Sequence, residues 1–405
     1  MRVVISASDT FFFSNTVAPR AIFSVFNLNT LVPVRPLALK TGVLFLILNV
    51  VFASLNPLPA LGRISAYNYL LPGRTRLPYG ENPARAYNLS LYSLPAMIAS
   101  HELAAAPVPV PVPANEYRVV VIGDSSVWGY RLPASETLTA QLNRSNTRLP
   151  DGRLLRAYNL GYPVMSLTKD LLLLDMARSY APQLVVWCVT LESFATTKQL
   201  FPPLLQNNPG EVRALAARYA LRTVVADARF VERDFFARTL LGQRRNLADL
   251  LRLQLYGPLW AATGVDQEIP DTYVRRMEDL PANTTFAGFA PGQLTQPDLA
   301  FDVLAAGFTA AHPAELLLVN EPMFVSAGAN SDLRYNFFYP RWAYDQYRAW
   351  MAEAARANGW RYFDWWEAVP SGEFTDSAVH MTPRGTGLLA NKLAAAILAA
   401  AASPR

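Results

Sequence analysis

The sequence has one cysteine, Cys188, so no intrachain disulfide can form, and its apolar setting (Leu184 to Val189) reads as a small buried hydrophobe. Histidine is almost as scarce. His101, His312 and His380 are the only three, no two share a helical turn, and no zinc-ligand spacing is present. Lysine is limited to Lys40, Lys169, Lys198 and Lys392. The other basic residues are scattered arginines, so the net charge of +5 gathers into no basic run or aromatic–basic stripe able to follow a phosphate backbone. These shortages argue against a disulfide-stapled domain, a metal centre and a nucleic-acid partner, and nothing points to an organic cofactor. At 52% hydrophobic and 17% charged residues, the chain fits a folded protein with a large core, not a disordered chain or a polytopic membrane protein.

The longest uncharged stretch is Thr41–Leu55, TGVLFLILNVVFASL, with apolar character continuing to Leu61. It is short for a membrane span, which needs about 20 residues. Three readings stay open: an uncleaved signal-anchor, a signal sequence cut after Val51-Phe52-Ala53, and a buried core helix. Arg2, Arg20, Arg35 and Lys40 precede it, and Arg63, Arg74 and Arg76 follow. The positive-inside rule then favours a cytoplasmic N-terminus, with the rest of the chain extracytoplasmic, or secreted if the segment is cleaved. The expected organisation is an N-terminal segment over 1–40, an anchor over 41–61, and a juxtamembrane region over 62–115. That region ends in the Pro-Val alternation Ala106–Pro113, a stiff polyproline II linker. The main domain follows over 116–405.

In that domain short apolar runs alternate with helical patterns. Strands are expected at Tyr117–Ile122, Leu154–Tyr158, Leu184–Thr190, Glu315–Asn320 and Arg361–Asp364. Helices are expected near Ser135–Leu142, Ser166–Tyr180 and Arg341–Asn358, and over Thr382–Ala401, where Thr382 is the N-cap and Pro383 the first helical residue. Such alternation predicts an α/β fold of three layers, a parallel sheet with helices on both faces. Between the third and fourth strands, about 192–313, lies a long and mostly helical insertion, read as a cap over the carboxyl edge of the sheet.

Two loops carry candidate chemistry. Gly123-Asp124-Ser125 follows the first strand, where a parallel sheet opens its ligand crevice, and a backbone N–H there can face a developing oxyanion. Asp376 and His380 share one loop ahead of the last helix, on the same rim. A serine hydroxyl needs a base, imidazole has a suitable pKa, and a carboxylate holds the imidazole in one tautomer. The plainer alternatives are that Asp124 and Ser125 are helix caps and that His380 is a surface histidine beside a helix start.

The order Gly123-Asp124-Ser125, then Asn159-Leu160-Gly161 after the second strand, then Asp376 and His380 before the last helix resembles the SGNH (GDSL) hydrolases, of membrane-anchored type. The resemblance covers about Tyr117–Ala401 without the insertion. It implies the flavodoxin-like fold of that family, with Ser125 as nucleophile, His380 as base, Asp376 orienting it, and the N–H groups of Ser125 and Gly161 as oxyanion donors. Two departures stand out. The family's third block supplies an oxyanion asparagine, but here the strand runs Val189-Thr190-Leu191-Glu192. Thr190 or Glu192 falls at the substrate-facing place, an ionised Glu192 would repel an oxyanion, and Asn320 is the candidate spatial substitute. Asp376 and His380 are also separated by one residue more than the family's usual spacing. Arg334 is a candidate for binding an anionic substrate group.

Serine-dependent ester hydrolysis or O-acyl transfer is therefore expected, on a small-molecule or polysaccharide ester of the cell envelope. If water is not the acceptor, a membrane-bound acyl donor is an expected partner. The alternative is a catalytically impaired binding or assembly protein on the same fold.

Overall fold

The computed structural model describes residues 34–63, 70, 73–79, 94–104, 112–222, 234–265, 267–275 and 278–402. Most of the Pro-Val linker and most of the N-terminal segment lie outside these. The five expected strands form as β1 (Glu116–Ile122), β2 (Leu154–Asn159), β3 (Leu184–Val189), β4 (Glu315–Asn320) and β5 (Arg361–Asp364). All pair in parallel, in the order β2-β1-β3-β4-β5. β3 is buried along its whole length and β1 in all but its first residue. That is why both read as unbroken apolar runs rather than as alternating ones.

The helices are α1 (Val34–Leu55), α2 (Leu138–Arg144), α3 (Leu167–Ala177), α4 (Arg244–Thr263), α5 (Phe301–Ala311), α6 (Arg341–Asn358) and α7 (Pro383–Ala402), besides shorter turns. Alternate strand residues sort them onto two faces. Val120, Ile122, Val185, Trp187 and Leu318 face α3, α5 and α6. Val119, Val121, Val186, Leu317 and Val319 face α2 and α7. Each such side chain stabilises the domain by about 1.5–3 kcal/mol on burial. Gly307 lets α5 lie directly on the sheet, since a Cβ there would come within 1.9 Å of the Trp187 ring. The architecture is the three-layer, flavodoxin-like one expected.

Two expectations change. The insertion was expected to run to about residue 313, but α5 belongs to the sheet. Val303 and Leu304 are fully buried in its core, because a parallel β3–β4 crossover needs a covering helix. The insertion's helices, Pro209–Tyr219 and α4 among them, lie before residue 264, and its described residues from 264 to 295 carry none. Nor is α1 a buried core helix: Leu44, Leu46 and Leu55 are 65–72% exposed. It is long and apolar enough to cross a membrane. α7 passes the same length test, yet it buries Leu389, Leu393 and Ile397 against the sheet, as a core helix does.

Candidate active site

In the order β2-β1-β3 the chain winds outward in opposite directions from β1, and the crevice opens at the carboxyl ends of β1 and β3. Ser125 stands there as the first residue of a single-turn helix, Ser125–Trp128. Asp124 is that helix's cap, accepting from Ser126 N at 2.8 Å, so the capping alternative holds for Asp124. For Ser125 it does not. Ser125 Oγ lies 2.8 Å from His380 Nε2, and His380 Nδ1 lies 3.1 Å from Asp376 Oδ1. Because an ionised carboxylate only accepts, Nδ1 carries the proton, and Nε2 is left to accept from the Ser125 hydroxyl.

The extra residue between Asp376 and His380 is absorbed by a loop closed on itself. Thr375 N donates to His380 O at 2.9 Å, and Thr375 Oγ1 donates to Asp376 Oδ1 at 3.0 Å. Phe324 N donates to Ala378 O at 2.7 Å, tying the loop to the chain after β4. Thr382 Oγ1 then accepts from Gly385 N and caps α7, as expected.

Burial works against ionisation of Asp376, but the His380 hydrogen bond and charge, the Thr375 hydroxyl and Arg131 outweigh it and hold the carboxyl well below the usual carboxylate range. A depressed folded-state pKa contributes stability above the unfolded value near pH 4, and this is lost as pH falls further. Asp376 therefore stays charged throughout pH 5–8. Asp376→Asn, which removes that charge and scrambles the tautomer, should cut kcat/KM by about 10³–10⁴-fold. Arg131 stands 3.5 Å from Asp376 Oδ2, in a partly exposed pair of the kind worth at most about 1 kcal/mol. Arg131→Gln should cost less than about fivefold, and the gap should narrow in high salt. Steady-state kinetics of the two variants, side by side, check the ranking.

Four further residues, not among the expected ones, shape this site. The Tyr130 ring stacks on His380, with centroids 4.8 Å apart. Arg131 also pairs with Glu268 of the insertion at 3.0 Å. Lys169 is fully buried, 2.9 Å from Asp170, and it donates to Gly123 O at 2.9 Å and to Tyr162 O. Glu321, at the end of β4, accepts from Ser126 Oγ, and burial, aided by Asp124, raises its pKa well above the ordinary value. A readable signal existed for the last two: Lys169-Asp170 interrupts an otherwise apolar helix face, and Glu321 directly follows a buried strand. Nothing in the local pattern marks Tyr130 or Arg131.

Several expected site residues are not at the site. Asn320 is fully buried, and its amide is committed elsewhere, donating to Asp364 Oδ1 at 2.8 Å and accepting from Tyr344 and Tyr347. It is a core connector, not an oxyanion donor. Thr190 is likewise buried, donating to Tyr339 at 2.9 Å, and has no surface to offer a substrate. Arg334 is 4% exposed and donates to the carbonyls of Asn336, Phe337 and Asn283. It braces a loop instead of binding an anion. Glu192 is ion-paired with Lys198, which answers the concern that it would face an oxyanion unpaired. Gly161 does pack against the Ser125–Trp128 turn, where a Cβ would lie 2.5 Å from Trp128 N. Its N–H, however, donates to Asn159 Oδ1 at 3.0 Å. That leaves Ser125 N–H, which as the first helical amide has no intrahelical acceptor, as the remaining expected oxyanion donor. Among the described residues, no group of three or more His, Cys, Asp or Glu side chains is arranged to hold a metal ion.

Fold and site together define a doubly wound parallel sheet with a Ser–His–Asp constellation at its switch point. No protein-family model and no curated protein matches the sequence. Solved structures similar to the chain include a member of the lipolytic G-D-S-L family from Veillonella parvula DSM 2008. It is 10% identical, with a TM-score of 0.33 over 68% of this chain and 94% of that one. Others are a carbohydrate acetylesterase family member from Sinorhizobium meliloti (12%, TM-score 0.32, 71% and 100%) and the native M. smegmatis aryl esterase (13%, TM-score 0.31, 70% and 98%). Likeness this slight transfers no activity; the distances within the site have to speak for it.

Proposed function

We propose that this chain is a serine-dependent esterase or acyltransferase of the SGNH type, with Ser125 as nucleophile, His380 as general base and Asp376 as its orienting carboxylate. The observation that carries the proposal is the continuous relay Ser125–His380–Asp376, at 2.8 and 3.1 Å, on the crevice rim. Ser125 Oγ attacks an ester carbonyl while its proton passes to His380 Nε2. The tetrahedral oxyanion forms against Ser125 N–H, the C–O bond to the alcohol breaks, and the alcohol leaves with the His380 proton. Water, or the hydroxyl of an acceptor, then gives a proton to His380 and attacks the acyl carbon, and as the acyl C–O bond to Ser125 breaks, His380 returns that proton to Ser125 Oγ.

The binding-protein alternative loses ground because a surface with no reaction to perform has no need of this alignment. The finer reading places the domain outside a membrane that α1 spans, acting on an O-acylated cell-envelope glycan. The one-third exposure of the Asp376 side chain suits a bulky substrate at an open rim. Full-length protein in detergent should be labelled at Ser125 by a fluorophosphonate probe. A folded protein that stays unlabelled would return the chain to the binding class.

A further inference from the structure

The insertion also touches α1, at an unexpected level. Asn49 is the one amide side chain in the uncharged stretch Thr41–Leu55, and it is buried. Its Oδ1 accepts from the backbone N–H of Leu241, in the insertion, at 3.0 Å. The short helix Phe235–Arg238 packs on α1 beside it. One turn further along α1, Phe52 joins a cluster with Leu58, Leu250 and Leu253, which brings in α4. Asn49 sits six residues before the end of α1, about 9 Å along the axis at 1.5 Å per residue. The uncharged stretch is about 22 Å long on the same measure, against roughly 30 Å of bilayer hydrocarbon. If α1 spans a membrane, chain packed at the level of Asn49 is below the membrane surface.

The side chains there are suited to that depth. Phe236 is 79% exposed and Leu241 55%. On α4, Leu251, Leu255 and Leu259 recur every four residues, 61–72% exposed, so they form one apolar stripe on the helix. The backbone donor of Leu241 is satisfied by Asn49, as hydrocarbon requires of any amide within it. Exposed arginines at 244, 245 and 252 supply the charged flank typical of a helix lying in a membrane interface.

We propose that the insertion is a second membrane-embedded element: the Phe236–Leu241 turn and the leucine stripe of α4 lie in the lipid leaflet on the catalytic domain's side, completing the short hydrophobic length of α1. This rests on the reading of α1 as a membrane span, not on the esterase chemistry. The occupant of the stripe is lipid acyl chain. Continuity with α1 argues for lipid over a second copy of the chain.

Full-length protein is reconstituted in phosphatidylcholine vesicles containing doxyl-labelled phosphatidylcholine. Bimane is attached separately at Leu255→Cys, at Leu46→Cys in α1, and at the exposed control Asp332→Cys. The native Cys188 is buried and out of the reagent's reach. All three positions are exposed, so the fold should tolerate the changes, and near-ultraviolet circular dichroism verifies it. The expected result is loss of emission at Leu255→Cys comparable to that at Leu46→Cys, with Asp332→Cys unquenched. Quenching at Leu46→Cys alone would overturn the proposal while sparing the membrane span. Quenching at neither position would overturn both. Pyrene excimer emission from Leu255→Cys without doxyl quenching would show that a second copy, not lipid, covers the stripe.

Discussion

Ser125→Ala should lower turnover of an aryl acetate ester by about 10⁴-fold, and His380→Ala should do nearly the same. Removing a triad nucleophile can cost about 10⁶-fold in a fully equipped serine hydrolase. The smaller figure follows from what this site lacks. Asn320 faces the core and the Gly161 N–H is engaged by Asn159, so the wild type starts without donors each worth about 10²–10³ in rate. Because the two residues act as one device, the double variant should be no slower than either single one. Fluorophosphonate labelling should vanish with Ser125→Ala. A variant that retains both labelling and turnover would move the nucleophile elsewhere and dismantle the proposed mechanism.

The largest effect on stability is expected at Lys169. Its ammonium is fully buried among Asp170 and the carbonyls of Gly123 and Tyr162, and Asp170 in turn accepts from Trp187 Nε1 at 3.1 Å. Lys169→Met leaves Asp170 as an uncompensated buried charge, a loss of about 3–5 kcal/mol. In a domain of this size that corresponds to a fall in thermal midpoint of roughly 6–20 °C. The pH dependence is also determined. Burial already raises the pKa of Asp170 against the pull of Lys169, and removing Lys169 raises it further. A carboxyl with a raised folded-state pKa binds more protons folded than unfolded, so stability falls as pH rises through that value. The deficit should therefore be larger at pH 8 than at pH 5. Adding Asp170→Asn should restore part of it by removing the buried charge. Thermal unfolding of the two variants at both pH values tests this, and an equal deficit at both would mean that Asp170 is not the group left stranded.

Local pattern carried much of the architecture. A strand buried on both faces must be apolar throughout, and a helix on a sheet must repeat its apolar residues every three or four positions. Hence the five strands, the covering helices α2, α3, α6 and α7, and Ser125 and His380 on one rim were legible in order along the chain, whereas α5 was hidden inside the expected insertion. α1 was legible in part: the uncharged stretch Thr41–Leu55 marks most of the helix, while its first turns, from Val34 through Arg35 and Lys40, lie before the expected segment. The third member of the site was less so: whether Asp376 reaches His380 depends on how Thr375 closes the loop, and residue spacing does not report that.

What only the tertiary structure decided concerns partners far apart in sequence. Ser125 and His380 are 255 residues apart, Arg334 and the Asn283 carbonyl 51, and Leu241 and Asn49 192. Asn320 and Thr190 were at plausible sequence positions for substrate contact, but a polar side chain at a strand end points wherever its hydrogen bonds are satisfied. For these two that is a cluster of buried tyrosines, Tyr339, Tyr344 and Tyr347. The same holds for the insertion. Its sequence showed helices, while its seat on α1 and its grip on Arg131 depend on the meeting of surfaces that no local periodicity encodes.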